Sequence, residues 1–87
     1  MKIELSKHGK DRLKQRKKLP KSIKLVEDVR KAWYRGITKK KACCELDEYL
    51  ERYDAEIRVY QGFVYLFNYT HPTATLITIV YLPKRLL

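Results

Sequence analysis

The chain has 87 residues and a formal net charge of +10, from 20 Lys/Arg against 10 Asp/Glu. A chain of this length forms one domain with one modest core, burying about 60–65% of its unfolded surface. Its longest apolar run, "TLITIVYL", falls far short of the roughly 20 residues that a membrane-spanning helix needs. No apolar targeting segment follows Met1, so the expectation is a cytoplasmic protein with no signal peptide and no membrane partner.

The charge is unevenly spread. Residues 1–41 hold sixteen Lys/Arg against four Asp/Glu, whereas residues 42–87 hold four against six. A cationic first half joined to a near-neutral apolar second half reads as an electrostatic face on a scaffold, and polyanions are the usual partners of such faces.

In chain order, "MKIEL" alternates polar and apolar residues and suits a short strand or an ordered lead-in. Ser6 is a candidate N-cap for a first helix. On that helix Leu5, Gly9 and Leu13 share one face, and His8, Arg12 and Arg16, spaced four apart, line the neighbouring one. Glycine inside a helix costs about 1 kcal/mol relative to alanine, so Gly9 marks either a close approach by a backbone or ligand or a position of simple tolerance.

Pro20 suits the first turn of a second helix. Ile23, Val26, Val29 or Arg30, and Trp33 give that helix its apolar stripe, and Gly36 is expected to end it as a left-handed cap. Thr38 is then expected to cap a third helix running to about Tyr53, with Ala42, Leu46, Tyr49 or Leu50, and Tyr53 buried. Lys39, Lys40 and Lys41 would sit at its positive end and Glu51 near its negative end. Each such placement costs about 0.3–1 kcal/mol at low salt. A bound anion would suit the lysines there, but plain solvation accounts for them without one and is the favoured reading.

The period then changes from 3.6 to 2. "EIRVYQGFVYLFNY" reads as two strands joined at Gln61-Gly62, "THPTAT" as an irregular loop, and "TLITIVYLP" as a strand closed by Pro83. The expected fold class is therefore α+β: two or three N-terminal helices packed on a C-terminal antiparallel β-meander of three or four strands. Residues 1–87 form a single domain, with a basic helical part over 1–53 and the sheet over 56–85. Trp33, Leu46, Leu50 and one sheet face supply the core.

Cys43 and Cys44 are adjacent, which rarely permits normal disulfide geometry, so reduced thiols are expected. His8 and His71 are the only histidines and no C-x2-C pair occurs, so neither a metal nor another cofactor is expected.

The helix "LSKHGKDRLKQR", the aromatic hairpin "IRVYQGFVYLFN" and the terminal strand "LITIVYLP" together resemble small phage and mobile-element proteins. Those proteins are similar to the barnase, EndoU, colicin and RelE group of metal-independent ribonucleases. The resemblance covers about half of the chain on short motifs. It implies a site where the first helix meets the sheet, with His8, Arg12 and Thr78 as catalytic residues and Arg16 beside them. Gly9 departs from the alanine expected in the helix motif.

The chemistry of these residues fits that expectation. Metal-free RNA cleavage needs a base for the 2′-OH, an acid for the leaving oxygen, and cations for the charge gathering on phosphorus. His8 has the side chain for proton transfer, and Arg12 and Arg16 can grip phosphate bidentately. Thr78 can hold a phosphate oxygen or orient His8, and Tyr65 or Tyr81 can stack a base or donate a proton. Lys14, Arg16, Lys17, Lys18, Lys39, Lys40, Lys41 and Lys84 complete the expected nucleic-acid-binding set.

Three functions follow from these readings. One is a toxin-like endoribonuclease, implying a protein antitoxin as partner. Another is a non-catalytic binder of RNA, other nucleic acid or a ribonucleoprotein, such as a phage inhibitor of an RNA-guided host nuclease. The last is a protein-interaction domain whose charge only maintains solubility. The opposing view of His8 is that it bonds a backbone carbonyl while the arginines are simply solvated.

Overall fold

The computed structural model describes residues 2–18, 22–42 and 44–86, with the side chains of Ser22 and Ile23 left aside. The readings made for Pro20 and Cys43 fall outside the described residues. The element order is β1 (Lys2–Leu5), α1 (Lys7–Lys17), α2 (Ser22–Arg35), α3 (Cys44–Leu50), β2 (Glu56–Tyr60), β3 (Phe63–Thr70) and β4 (Thr73–Tyr81), followed by a 3₁₀ turn at Lys84–Leu86. This is an α+β arrangement, but the sheet is mixed. Its strand order is β1-β4-β3-β2, and β1 lies parallel to β4. Among the described residues no helix is long and apolar enough to cross a membrane.

The hairpin expected at Gln61-Gly62 is present. Both residues have positive φ, 51° and 81°, the backbone of the primed two-residue turns that match strand twist. The loop expected at "THPTAT" is instead a tight connection. β3 continues to Thr70 and β4 begins at Thr73, with Thr70 and Thr73 as Cα partners, so Pro72 occupies a turn where it interrupts no ladder bond.

The sheet has apolar side chains on both faces, so the single core expected from the sequence is divided in two. α1 and α2 cover one face, where Leu13, Leu25, Val29, Trp33, Tyr65 and Phe67 are buried. α3 covers the other, where Leu50 meets Ile57, Val59, Val64 and Leu82, with Leu46 at the margin. Trp33 and Leu50 therefore lie in separate cores. On α2 the fully buried residues are Leu25, Val29 and Ala32, while Val26 is only half-buried, which rotates the expected stripe by about one position.

Gly36 does not adopt the left-handed conformation expected of it, since Gly62 is the one glycine with positive φ among the described residues. Its role is space: a Cβ there would lie 2.5 Å from the Ala32 carbonyl oxygen and 3.0 Å from the Arg58 Cβ. The next residue, Ile37, bridges to Val59 by reciprocal backbone bonds of 2.8 and 2.9 Å. That bridge draws the chain onto the β2 edge and delays the third helix. Thr38 closes a turn instead, its carbonyl accepting from the amides of Lys41 and Ala42. α3 starts only at Cys44, with Glu45 and Asp47 in its first turn. Acidic residues there suit the helix dipole, and three lysines placed there would not.

Gly9 is explained by close approach. A Cβ at this position would overlap the Leu76 carbonyl oxygen and lie 3.1 Å from its carbon, so the absent side chain lets α1 rest directly on β4. Gly9→Ala gains about 1 kcal/mol of helix propensity but forces an overlap with rigid backbone, and overpacking of this kind costs about 1–3 kcal/mol. A net loss of stability near 1 kcal/mol is expected from urea denaturation. An unchanged or higher midpoint contradicts the close approach.

Candidate nucleic-acid interface

α1 is anchored at its start and along its length. The Ser6 side chain caps it by accepting from the Gly9 amide at 3.0 Å, and the Ser6 amide donates to the Leu76 carbonyl at 3.0 Å. Lys18 ends the helix in the left-handed conformation, its amide donating to the Lys14 carbonyl. With Gly9 seated at Leu76 and Arg16 over Tyr81, the helix tracks the second half of β4. His8, Arg12 and Arg16 form the flank of α1 on this side and span about 12 Å at 1.5 Å per residue.

His8 is exposed, and the Arg12 Nε donates to its Nε2 at 3.4 Å. Arg12 also donates from Nη1 to Gln15 at 3.4 Å, a long contact that leaves the guanidinium loosely held. One turn on, the Arg16 Cζ lies 4.8 Å from the Tyr81 ring centroid. Arg16 Nε is buried and has no hydrogen-bond partner among the described residues. Tyr81 is 58% exposed and its ring lies 5.2 Å from that of Phe63. The arrangement offers a ridge of one imidazole and two guanidinium groups, ending at an aromatic side chain open to solvent.

Several expected members lie elsewhere. Thr78 pairs with Leu66, which packs against the α3-side core. Partners across a ladder share a face, so Thr78 is on the side of the sheet opposite α1. The cause is a β-bulge: Leu66 pairs with Thr78 but Phe67 pairs with Leu76, leaving Ile77 as the extra residue. The bulge reverses the alternation of β4, removing Thr78 from the α1 face and bringing Tyr81 onto it.

Tyr65 is fully buried and cannot stack a base. Its hydroxyl donates to Asp28 Oδ2 at 2.6 Å, and burial, reinforced by this bond, pushes its pKa well above the usual tyrosine value. Lys17 is likewise withdrawn from solvent. Its Nζ donates to Asp28, Gln61 and Tyr65 at 2.7, 2.9 and 2.9 Å, which satisfies all three ammonium protons. Lys39 donates to the Tyr53 carbonyl. Lys14, Lys18, Lys40, Lys41 and Lys84 are exposed. Lys14 and Lys18 fall about 200° and 240° round α1 from Arg12, at 100° per residue, so α1 is cationic on both flanks.

Asp28 was missed by sequence reasoning, although a signal existed. It sits three residues after Leu25 and four before Ala32, on the buried stripe of α2, just as Lys17 follows Leu13 by four on the buried stripe of α1. Charges on two buried stripes need partners, and here they are each other's. Compared with protein-family models, with curated proteins and with solved structures, the chain shows no match, so this interface rests on its own geometry.

Proposed function

We propose that the chain binds RNA, gripping the phosphate backbone along the His8, Arg12 and Arg16 flank of α1 and meeting a base at Tyr81. The observation that supports this best is the Arg16 guanidinium resting on an exposed tyrosine, with a loosely held Arg12 one turn away. Guanidinium groups match phosphate bidentately, and unpaired bases stack on aromatic rings and guanidinium planes.

A second reading is cleavage, favoured by the His8–Arg12 contact. A neutral imidazole beside a guanidinium can take the 2′ proton while O2′ attacks phosphorus. The P–O5′ bond then breaks to give a 2′,3′-cyclic phosphate and a 5′-hydroxyl, with water protonating the leaving oxygen. Thr78 has no part in this step, given its sheet face. Binding is the stronger reading, because cleavage needs both a base and an acid, and beside His8 this flank of α1 offers two guanidinium groups, which do not give up protons.

The test is incubation with a mixed RNA pool in chelator, comparing wild type with His8→Ala. Retained, intact RNA in both samples is expected, with affinities within about threefold, because the two guanidinium groups and not His8 make the charge-assisted phosphate contacts. Cyclic-phosphate fragments from wild type that vanish in His8→Ala would establish the second reading. RNA neither retained nor cut would dismiss both.

A further inference from the structure

The ridge on α1 does not stop at Tyr81. Arg16 lies over Tyr81, Tyr81 is beside Phe63, and Phe63 begins the strand that follows the Gln61-Gly62 turn. From that turn a cavity of about 250 Å³ opens along α2, lined by Lys24, Glu27, Asp28, Lys31, Tyr60 and Gln61. A second cavity, of about 280 Å³, shares Glu27 and Lys31 with the first and continues to Arg30, Tyr34 and Arg35. The two adjoin at Glu27 and Lys31 on the outer side of α2. From Lys24 to Arg35 they run about 16 Å at 1.5 Å per residue.

The two cavities have the makings of a polyanion track. Lys24, Arg30, Lys31 and Arg35 contribute four positive charges, and none is in an ion pair among the described residues. Glu27 opposes them, but Asp28 is already neutralised by Lys17. A half-buried tyrosine, Tyr60, stands at one end, and at the other Tyr34 is 63% exposed, without the burial that would make it a core residue. Cations tracking a backbone together with aromatic rings are the pattern of single-strand binding, where each stacked base adds affinity regardless of its identity.

We infer that the RNA track continues from the α1 flank, round the Gln61-Gly62 turn and along the outer face of α2 to Tyr34, so that the protein holds an extended single strand. This rests on the RNA-binding reading of α1 and specifies the form and length of the ligand.

Labelled oligouridylates of about 4 and about 16 nucleotides, the span of known single-strand site sizes, provide the test. Tyr34→Ala weakens the long oligomer at least about fivefold, the lower end of stacking losses, and leaves the short one unchanged. Arg30→Gln/Arg35→Gln lowers the salt slope for the long oligomer by about 1.4, from about 0.7 per lost phosphate contact on a single strand. Circular dichroism checks that each variant remains folded. Long and short oligomers bound alike by wild type and by both variants would overturn the inference. If Arg12→Gln/Arg16→Gln still weakened binding of both lengths, the α1 reading would survive that failure; if not, both would fall. A polyglutamate peptide that occupied these cavities while the long oligomer left them untouched would also overturn the inference, assigning them to an acidic protein.

Discussion

Asp28→Ala is expected to cost the fold about 3 kcal/mol, the low end of the penalty for breaking a buried ion pair from one side. Lys17 and Asp28 side chains are only 10% and 14% exposed, and their atoms meet at 2.7 Å. Removing the carboxylate leaves an ammonium and a phenol inside the protein with two good acceptors gone. Domains of this size are stable by about 5–15 kcal/mol in total, so the loss is a large fraction, and at about 4–8 °C per kcal/mol the melting temperature drops by more than 10 °C. Lys17→Met/Asp28→Leu/Tyr65→Phe restores most of it, because an apolar cluster does without the desolvated charges and leaves no phenol unpartnered. Tyr65→Phe costs about 1.5–3 kcal/mol, because the hydroxyl it removes bonds two charged groups, Lys17 and Asp28. Urea denaturation distinguishes these outcomes, and an Asp28→Ala variant within 0.5 kcal/mol of wild type, the usual range of surface changes, contradicts the burial assigned to the pair.

The same cluster predicts an alkaline limit. Tyr65 has a raised pKa in the folded chain, whereas in the unfolded chain it titrates near 10. A raised folded pKa contributes stability that is complete below the unfolded value and is lost as pH climbs toward the folded one. Stability therefore declines above pH about 10, and the decline is shallower in Tyr65→Phe.

The second large effect is on affinity. Arg12→Gln/Arg16→Gln is expected to weaken RNA binding about 10²-fold or more at low salt, from two charge-assisted contacts of about 1.5–3 kcal/mol each. Both side chains are half-buried and neither is in an ion pair among the described residues, so circular dichroism of the variant is expected to remain that of the folded chain. The loss shrinks as salt rises, because part of the wild-type affinity is counterion release and disappears with it. Lys14→Gln/Lys18→Gln, on the other flank of α1, has a smaller effect of the purely electrostatic kind. Filter binding across a salt series measures both. Equal losses from the two pairs would mean that α1 contributes only its net charge.

Elements governed by local patterns were readable in the sequence. Ser6 capped the helix it preceded and Gln61-Gly62 turned the hairpin, whereas Gly9 left close approach and simple tolerance open until the Leu76 carbonyl decided between them. Features set by tertiary partners were not. The Ile37–Val59 bridge delayed α3, and nothing local to Thr38 signals that. A parallel β1 beside β4 depends on contacts across about 70 residues. The bulge at Ile77 had the largest consequence for the site. Unbroken alternation puts Thr78 with Leu76 on the α1 face, and one extra residue exchanges it for Tyr81. Lys17 and Tyr65 were misjudged for another reason: amid so many cations and tyrosines, composition favours the solvated reading, and only helical or strand phase reveals the buried one.

The central claim is where RNA sits on this molecule, and mapping amide chemical-shift changes on titration with the short oligouridylate of about 4 nucleotides measures it most directly. The account predicts changes concentrated in α1 from His8 to Lys18 and at Tyr81, diminishing as salt is added. Changes centred on Thr78, Asn68 and α3, across the sheet from that helix, would contradict it.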